Sequence, residues 1–219
     1  METLNRAKSV VDFYVLCNRL KHVIKKGWTM WNVQKERIES VAEHVYGTQQ
    51  LAIAMWSQYP EEYKDLDLFK IILMIAIHEL EEIELGDLNR WEINSEDRLK
   101  KGREAVKVIL KDLLSGQQIV DLIEELNAKE TKEAIFAHCC DKLEDNIQCK
   151  LYDEEGCFDL SLQGNNKAYK DELVQQLLEK HNGSVSGMWL EFWRIHAGFD
   201  PNFMEVSEYV ANNDIALKN

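Results

Sequence analysis

The most apolar run of the chain reads Leu68-Phe69-Lys70-Ile71-Ile72-Leu73-Met74-Ile75-Ala76-Ile77, and the ionisable pair His78-Glu79 follows it directly. A helix that is apolar on nearly every face is normally buried in the middle of a domain. Burying two ionisable groups without partners is costly, because neither water nor a counter-charge then stabilises them. We therefore expect His78 and Glu79 to be paired, hydrogen-bonded or bound to a metal, and this pair is the first candidate for a functional site.

The rest of the chain also carries the period of α-helices. Apolar residues recur at helical spacing over 10–20, and Ser40 with Glu43 fits a capping box at the start of another helix. The buried helix itself is predicted over 66–85. Amphipathic patterns predict helices over 98–114, 117–127 and 130–151, one ending near 181, and one or two more over 188–210. No stretch alternates as a strand would, so we predict one all-α domain, a helical bundle over 1–219.

Charge and composition exclude several classes of function. The formal net charge of −13 repels a phosphate backbone, so we expect no nucleic acid polymer as a partner. A small phosphorylated substrate stays compatible with this charge, because a local cation can hold one phosphate. The five cysteines include no CxxC pair, which argues against a disulfide framework and a zinc knuckle. The sequence starts without a signal-peptide pattern and has no uncharged run long enough to span a bilayer, so we expect a cytoplasmic protein without a membrane partner.

Further metal-type ligands lie in otherwise apolar helices. His44 falls in the first turn of the capped helix, where the helix dipole favours a neutral ring that can bind a metal. Asp141 lies in a later helix. Together with His78 and Glu79 they make two imidazoles and two carboxylates. This set suits a divalent ion such as Mn, Fe, Co, Ni or Zn better than calcium.

Two more carboxylates lie near the His78-Glu79 pair in the sequence, and two known types of metal site can be excluded there. Glu82 lies four residues after His78 and three after Glu79, so the three side chains are expected on one helical face. A glutamate at position 82 excludes the HExxH zincin pattern, which needs a histidine there. The paired ExxH motifs of a di-iron bundle are also absent from the sequence. Asp87 adds an acidic side chain just beyond the predicted end of the helix.

The order of these residues resembles that of a known family. His44, then His78-Glu79, then Asp141 is similar to the H…HD…D signature of the HD-domain phosphohydrolases. The residues around them look like the bacterial 5′-deoxynucleotidase branch, and they are Leu20-Lys21, Gly27-Trp28, Asn32-Val33, Glu39-Ser40-Val41-Ala42-Glu43-His44, His78-Glu79-Leu80-Glu81-Glu82, Gly86-Asp87 and Asp141-Lys142-Leu143-Glu144. The resemblance covers about 15–155, and 156–219 reads as a C-terminal helical extension.

This resemblance implies a single-domain bundle of the HD type, a homodimer, and one divalent metal ion, which is Mn, Co, Fe, Ni, Zn or Mg. The metal ligands that it implies are His44, His78, Glu79 and Asp141. It assigns activation of the attacking water to Glu82 and a further catalytic role near the sugar to Asp87. Trp28 falls on an aromatic residue that packs against the deoxyribose.

The chain departs from the family pattern at two places. Glu79 stands where the family has aspartate and is one methylene longer, so the metal geometry must adjust by about an ångström. The family's phosphate-holding arginine is absent, and Lys25 and Lys26 are the substrate-binding candidates in its place. Lysine binds phosphate as a point charge without the two-pronged arginine contact, so substrate affinity or preference is expected to differ.

The function that the resemblance implies is a 5′-nucleotidase, which releases phosphate from a (deoxy)nucleoside monophosphate by attack of a metal-activated water. Two alternatives stay open. One is another HD chemistry that acts on guanosine alarmones, cyclic nucleotides or dNTPs. The other is a non-catalytic metal or nucleotide sensor, although a sensor has less need of the water-activating Glu82.

Some conspicuous residues carry no chemical pattern of their own. Trp189, Phe192 and Trp193 stand at helical spacing, which indicates a core or a dimer interface rather than a cofactor site. His138 lies one turn before Asp141 and is expected in the core or beside the site. Neither group enters the predicted set of ligands or substrate contacts.

Overall fold

Helices make up the fold throughout the part of the chain that the computed structural model describes, residues 5–88 and 92–216. Within those ranges there are eleven α-helices and no β-strand, which confirms the predicted all-α domain. The helices are α1 Arg6–Cys17, α2 Lys26–Met30, α3 Val41–Gln58, α4 Leu68–Ile77, α5 Glu82–Leu85, α6 Ser95–Leu110, α7 Gly116–Ala128, α8 Lys132–Glu154, α9 Glu172–Lys180, α10 Val185–His196 and α11 Pro201–Asn212. None of these helices has the length and hydropathy that crossing a bilayer requires.

The long helix α8 packs against helices from both halves of the chain. It contacts α3, α4, α7, α10 and α11. Its residues Ala134, Cys140 and Leu143 are fully buried, as are Ile71 and Met74 of α4. Full burial of a leucine, isoleucine or methionine side chain contributes about 1.5–3 kcal/mol. The apolar contact of α3, α4 and α8 therefore fixes α3 and α8, which carry His44 and Asp141, and the end of α4, which precedes His78 and Glu79.

The buried helix is shorter than its sequence predicts. A continuous helix is expected over 66–85, but α4 ends at Ile77 and helical structure resumes only at Glu82. The reason is local hydrogen bonding. The His78 ring Nδ1 donates to the Ile75 carbonyl at 2.6 Å, and the next amides, Leu80 to Ile77 and Glu82 to Glu79, form tighter i to i+3 bonds. The His78-Glu79 pair therefore lies in a turn at the end of the apolar helix.

The start of α3 confirms the predicted capping box. The Ser40 side chain accepts a hydrogen bond from the Glu43 amide at 3.3 Å, and the Glu43 carboxylate accepts one from the Ser40 amide at 2.9 Å. This reciprocal cap satisfies two amides that the first turn of a helix leaves without partners. It also fixes where α3 begins, and so where His44 faces.

Other differences from the sequence prediction lie mainly at element ends. The segment 25–32, for which no helix is predicted, contains the short helix α2, in which Trp28 is buried against the core. Helix α6 ends at Leu110 rather than at 114. Helix α8 continues to Glu154, three residues beyond the predicted end. Tertiary packing of the flanking aromatic and apolar side chains sets these ends, which local periodicity alone does not define.

Replacing the capping serine tests how strongly this cap holds the bundle together. Ser40→Ala is expected to lower the free energy of unfolding by about 1 kcal/mol, because the Glu43 amide loses its acceptor. For a chain of this size the midpoint of thermal unfolding should fall by about 2–4 °C. Ser57→Ala, at an exposed position near the other end of α3, is the control and should change stability by less than about 0.5 kcal/mol. Equal midpoints for the two variants would contradict a stabilising cap.

Candidate metal centre and adjoining pocket

Four predicted ligands meet where α3, the turn after α4, and α8 come together. His44 Nε2 lies 3.1 Å from Asp141 Oδ1 and 3.4 Å from His78 Nε2, and His78 Nε2 lies 3.4 Å from Glu79 Oε1. One donor atom from each of the four residues lies within 4.8 Å of all the others. Ligands bound at about 2.0–2.2 Å from one ion lie about 3–4 Å apart at ordinary coordination angles. The donor set therefore fits a divalent metal ion.

Both imidazole rings are oriented by hydrogen bonds at the nitrogen that faces away from the centre. His78 Nδ1 donates to a backbone carbonyl, which can only accept, so that nitrogen carries the proton. His44 Nδ1 lies 2.5 Å from the Glu144 carboxylate and donates to it. Each ring is thus left with Nε2 toward the other ligands, the arrangement that metal-binding histidines commonly adopt.

The Glu144 carboxylate reaches His44 because the facing position on α3 is a glycine. A Cβ atom built at Gly47 would lie 2.4 Å from Glu144 Oε1, closer than two such atoms can approach. Glu144 is buried, so it has little room to move aside. Gly47 therefore makes the space in which Glu144 holds the His44 ring.

Opposing groups act on the charge state of His44. Burial and the nearby Lys25 ammonium lower its pKa, as the helix dipole does. The carboxylates of Glu144 and Asp145 act in the opposite direction and raise the pKa of His44 well above its usual value. The sequence does not reveal how many acids face the ring, and the neutral form expected of His44 as a metal ligand stays a prediction. A divalent cation offers the same carboxylates positive charge in place of a ring proton.

The two glutamates beside the centre have opposite electrostatic environments. Burial alone would raise the pKa of Glu79, but the rings of His78 and His44 and the Lys25 ammonium lower it to about 2. Burial raises the pKa of Glu82 to about 11, and the negative charge of Glu79 adds to that rise. Glu82 is 2% exposed, and its Oε2 atom has no hydrogen-bond partner among the described residues. A buried oxygen without a partner is a place for a donor such as a water or a substrate group.

A cavity of about 210 Å³ lies against Glu79 and Glu82. Its lining includes the cations Lys25, Arg98 and Lys142. It also includes the aromatic side chains of Trp28, Trp31, Trp189, Phe192 and Trp193. A second cavity, of about 340 Å³, reaches the candidate ligands His78, Glu79 and Asp141. The centre is therefore accessible to a small molecule that carries an anionic group and a flat apolar group.

The predicted substrate residues occupy different places around this cavity. Lys25 is buried at its wall, with its ammonium 3.4 Å from Asp145 and 3.7 Å from Glu79. Lys26 is not among the lining residues of this cavity, and its ammonium pairs with Glu92 at 2.6 Å. The structure therefore brings only the first of the two lysines to the site.

Trp28 and Asp87 both line the cavity. The Trp28 indole donates to the Glu39 carboxylate at 2.7 Å, which fixes the orientation of the ring. The Asp87 carboxylate accepts a hydrogen bond from the Lys26 backbone amide at 2.6 Å. Both side chains are thus held in position from the segment that precedes α3.

Two further cations at the site were not predicted as substrate contacts. Lys142 lies 2.7 Å from the Asp141 carboxylate, and its ammonium stands 5.2 Å from the centre of the Trp193 ring. Arg98, near the start of α6, lies 3.7 Å from Glu82 Oε1. The position of Lys142 directly after Asp141 was a usable signal, whereas nothing in the sequence singles out Arg98.

The aromatic residues of α10 play a larger part than their spacing indicates. Trp189, Phe192 and Trp193 pack with the core, as expected, but they also line the cavity. Helical periodicity identifies a buried face without revealing whether part of it borders a cavity. His138 is not in the donor set, and its ring lies 3.2 Å from the Lys129 ammonium.

The sequence of the chain matches a known protein family and several named proteins. The sequence profile described as "HD domain" matches residues 17–180. The chain is 29% identical over 150 residues to "5'-deoxynucleotidase HDDC2" of Dictyostelium discoideum, which covers 66% of this chain and 78% of that protein. It is 30% identical over 151 residues to the protein of the same name from Xenopus laevis, covering 67% and 71% respectively.

Solved structures share the fold. The "Predicted metal-dependent phosphohydrolase from Magnetospirillum magnetotacticum MS-1" superposes with a TM-score of 0.60 at 21% identity, over 94% of this chain and 91% of that one. The "PH0347 protein from Pyrococcus horikoshii OT3" gives a TM-score of 0.62 at 19% identity, over 92% and 98%. At these identities the likeness concerns the helical architecture alone.

Filling the space at Gly47 tests the support of His44. In Gly47→Ala the new methyl group would push Glu144 away from the His44 ring, because the two groups cannot share that space. Loss of such a supporting contact typically costs about 10–100-fold in metal affinity, and we expect a decrease of that size by calorimetric titration with Mn²⁺ or Co²⁺. Gly164→Ala, where an added methyl group meets nothing within 4 Å, is the control. Equal affinity in both variants would contradict the role of Glu144.

Proposed function

Since this chain belongs to the HD-domain family, we propose that it is a metal-dependent phosphohydrolase that removes the 5′-phosphate from deoxynucleoside monophosphates. The observation that carries the proposal is the cluster of His44, His78, Glu79 and Asp141, which borders a cavity lined by both cations and aromatic side chains. The similarity to proteins named 5′-deoxynucleotidase supports the same reaction class.

The four clustered donors would hold the metal ion. When bound, a divalent cation supplies Lewis-acid chemistry, because it polarises a phosphate oxygen and makes a nearby water more acidic. Burial and the negative charge of Glu79 raise the pKa of Glu82, and a cation held by Glu79 would offset the second of these effects. Nitrogen and carboxylate donors of this kind suit Mn, Fe, Co, Ni or Zn, and Mg stays among the candidates.

We assign to Glu82 the role of general base. Its unpartnered Oε2 atom lies at the cavity wall next to the ligand Glu79, where it would accept the proton of the water that attacks phosphorus. The water oxygen forms the new P–O bond as the bond between phosphorus and the sugar O5′ breaks, and Glu82 would return the proton that it accepted to O5′. The products are inorganic phosphate and a nucleoside.

The cations of the site would hold the phosphate and stabilise the charge that develops on it. Lys25 is buried at the cavity wall, the Lys142 side chain there is 21% exposed, and Arg98 reaches the wall from α6. Fixed positive groups in a site that excludes water stabilise transferring phosphoryl oxygens strongly. Three cations from three segments thus replace the single arginine of the family pattern.

The sugar would lie against Trp28, which lines the cavity and whose ring is fixed by the hydrogen bond to Glu39. Asp87 lines the same cavity and would contact a sugar hydroxyl group or a water. The homodimer implied by the resemblance stays a prediction. The cytoplasmic location expected from the sequence also stays a prediction.

Replacing the proposed base separates catalysis from metal binding. Glu82→Gln is expected to lower the rate of phosphate release from deoxynucleoside monophosphates by about 10²–10⁴-fold, because the amide cannot accept the proton. Metal content, measured by elemental analysis, should stay at the level of the unaltered protein. Glu84→Gln, on the same short helix but with a side chain 42% exposed, is the control and should retain full activity.

The substrate panel decides between the proposal and its rivals. The protein, loaded in turn with each candidate metal, is offered deoxynucleoside monophosphates, cyclic nucleotides, dNTPs and a guanosine alarmone. Phosphate release confined to the monophosphates is the expected result. Preference for one of the other three would identify another HD chemistry. A metal-loaded protein that turns over none of them would be a sensor and would overturn the proposal.

A further inference from the structure

Buried polar atoms without partners are concentrated in the cavity beside the metal centre. Among the described residues, five buried side-chain nitrogen or oxygen atoms make no hydrogen bond. Four of them belong to residues that line this cavity: Trp31 Nε1, Asn146 Nδ2, Asn146 Oδ1 and Glu82 Oε2. The fifth, Trp56 Nε1, belongs to a residue packed against a different part of the core. Glu82 has a role in the proposed reaction, but Trp31 and Asn146 have none.

Asn146 is the least expected of these residues. It lies on α8 five residues after the ligand Asp141, its side chain is 1% exposed, and both ends of its amide lack a partner. Leaving a buried polar group unpaired is unfavourable, and native proteins seldom retain such groups without a reason. An amide at a cavity wall can regain this free energy if a ligand supplies one donor and one acceptor.

The surroundings of this amide suit a flat ring. Trp31 brings a second unpaired donor and is itself 1% exposed. Trp189 and Trp193 of α10 add aromatic faces to the same cavity. Aromatic side chains bind planar heterocycles by stacking and edge contacts, while the amide and the indole N–H fix the orientation of the ring.

Lys142 lies between the aromatic lining of the cavity and the candidate metal centre. Its ammonium lies 2.7 Å from the Asp141 carboxylate and 5.2 Å from the centre of the Trp193 ring. A ligand whose anionic group lies at the metal ligands can therefore place a ring among the tryptophans of the same cavity. A nucleotide has this layout, with its phosphate and base separated by one sugar.

We propose that Asn146 and Trp31 form a base-recognition subsite that reads the hydrogen-bonding edge of the nucleobase. This inference rests on the proposed nucleotidase function for the phosphate end and adds a requirement for the base. The Asn146 amide donates through Nδ2 to a base acceptor and accepts through Oδ1 from a base N–H, while Trp31 Nε1 donates to a second base acceptor. A sugar phosphate without a base would leave these three atoms unpaired and would be a poor substrate.

Binding of nucleosides tests the subsite independently of catalysis. Thymidine and deoxyguanosine carry a base but no phosphate, and a base among Trp31, Trp189 and Trp193 should quench tryptophan fluorescence. We expect saturable quenching by the unaltered protein and at least about tenfold weaker binding in Asn146→Leu, which keeps the side-chain size but removes both hydrogen bonds. Trp56→Phe is the matched control, because it removes an unpaired indole N–H outside the cavity, and it should bind nucleosides with unaltered affinity.

Asn146→Asp provides a second variant in case the leucine substitution disturbs folding. A carboxylate only accepts hydrogen bonds, so it pairs with the two adjacent donors of guanine but repels a carbonyl of thymine. The affinity for deoxyguanosine relative to thymidine should rise at least about fivefold. An unchanged ratio, or equal quenching in Asn146→Leu and the unaltered protein, would overturn the subsite.

Turnover gives a separate test. We expect kcat/KM for the deoxynucleoside monophosphates to exceed that for 2-deoxyribose 5-phosphate by at least about 100-fold, and this ratio to fall at least about tenfold in Asn146→Leu and in Trp31→Phe but not in Trp56→Phe. Equal hydrolysis of both substrates by the unaltered protein would overturn the subsite while leaving the phosphohydrolase proposal intact. If neither substrate is hydrolysed, the proposed function fails, and nucleoside quenching alone decides the subsite.

Discussion

Burial of ionisable ligands inside an apolar bundle is the constraint on which the rest of this structure depends. His44 is fully buried and Glu79 is 7% exposed, so neither can rely on water for stabilisation. The surrounding atoms supply the partners instead, with carboxylates on both nitrogens of His44 and the Lys25 ammonium beside Glu79. Negative groups are in surplus around His44 and Glu79, and a bound cation would balance their charge.

This constraint explains local features that would otherwise be unrelated. Helix α4 ends where the His78 ring takes up a backbone carbonyl, and the resulting turn brings Glu79 toward the other ligands. Gly47 clears space on α3 so that Glu144 can hold His44 from the side opposite the centre. The apolar packing of α3, α4 and α8 then supplies the rigidity that a metal site needs, because its ligands come from three separate segments.

The sequence indicates the four clustered donors more clearly than it indicates the cavity. His44 and the His78-Glu79 pair stand out because a capping box and an apolar run make an ionisable residue conspicuous next to them. The break in α4 was not predictable, because a side-chain hydrogen bond to the backbone overrides an unbroken apolar pattern. Asn146 and the α10 aromatics were missed because helical spacing is identical for a residue that fills the core and one that lines a cavity in it. Three-dimensional packing alone reveals that both ends of the Asn146 amide lack partners.

The stoichiometry and affinity of Co²⁺ binding, followed by visible absorption, test the central claim most directly. The account predicts one tightly bound ion per chain, with absorption bands typical of nitrogen and oxygen ligands. In His78→Ala, which removes one of the four donors, binding should weaken by at least about 100-fold. Binding of Co²⁺ with the same affinity and spectrum in His78→Ala, or no saturable binding by the unaltered protein, would contradict it.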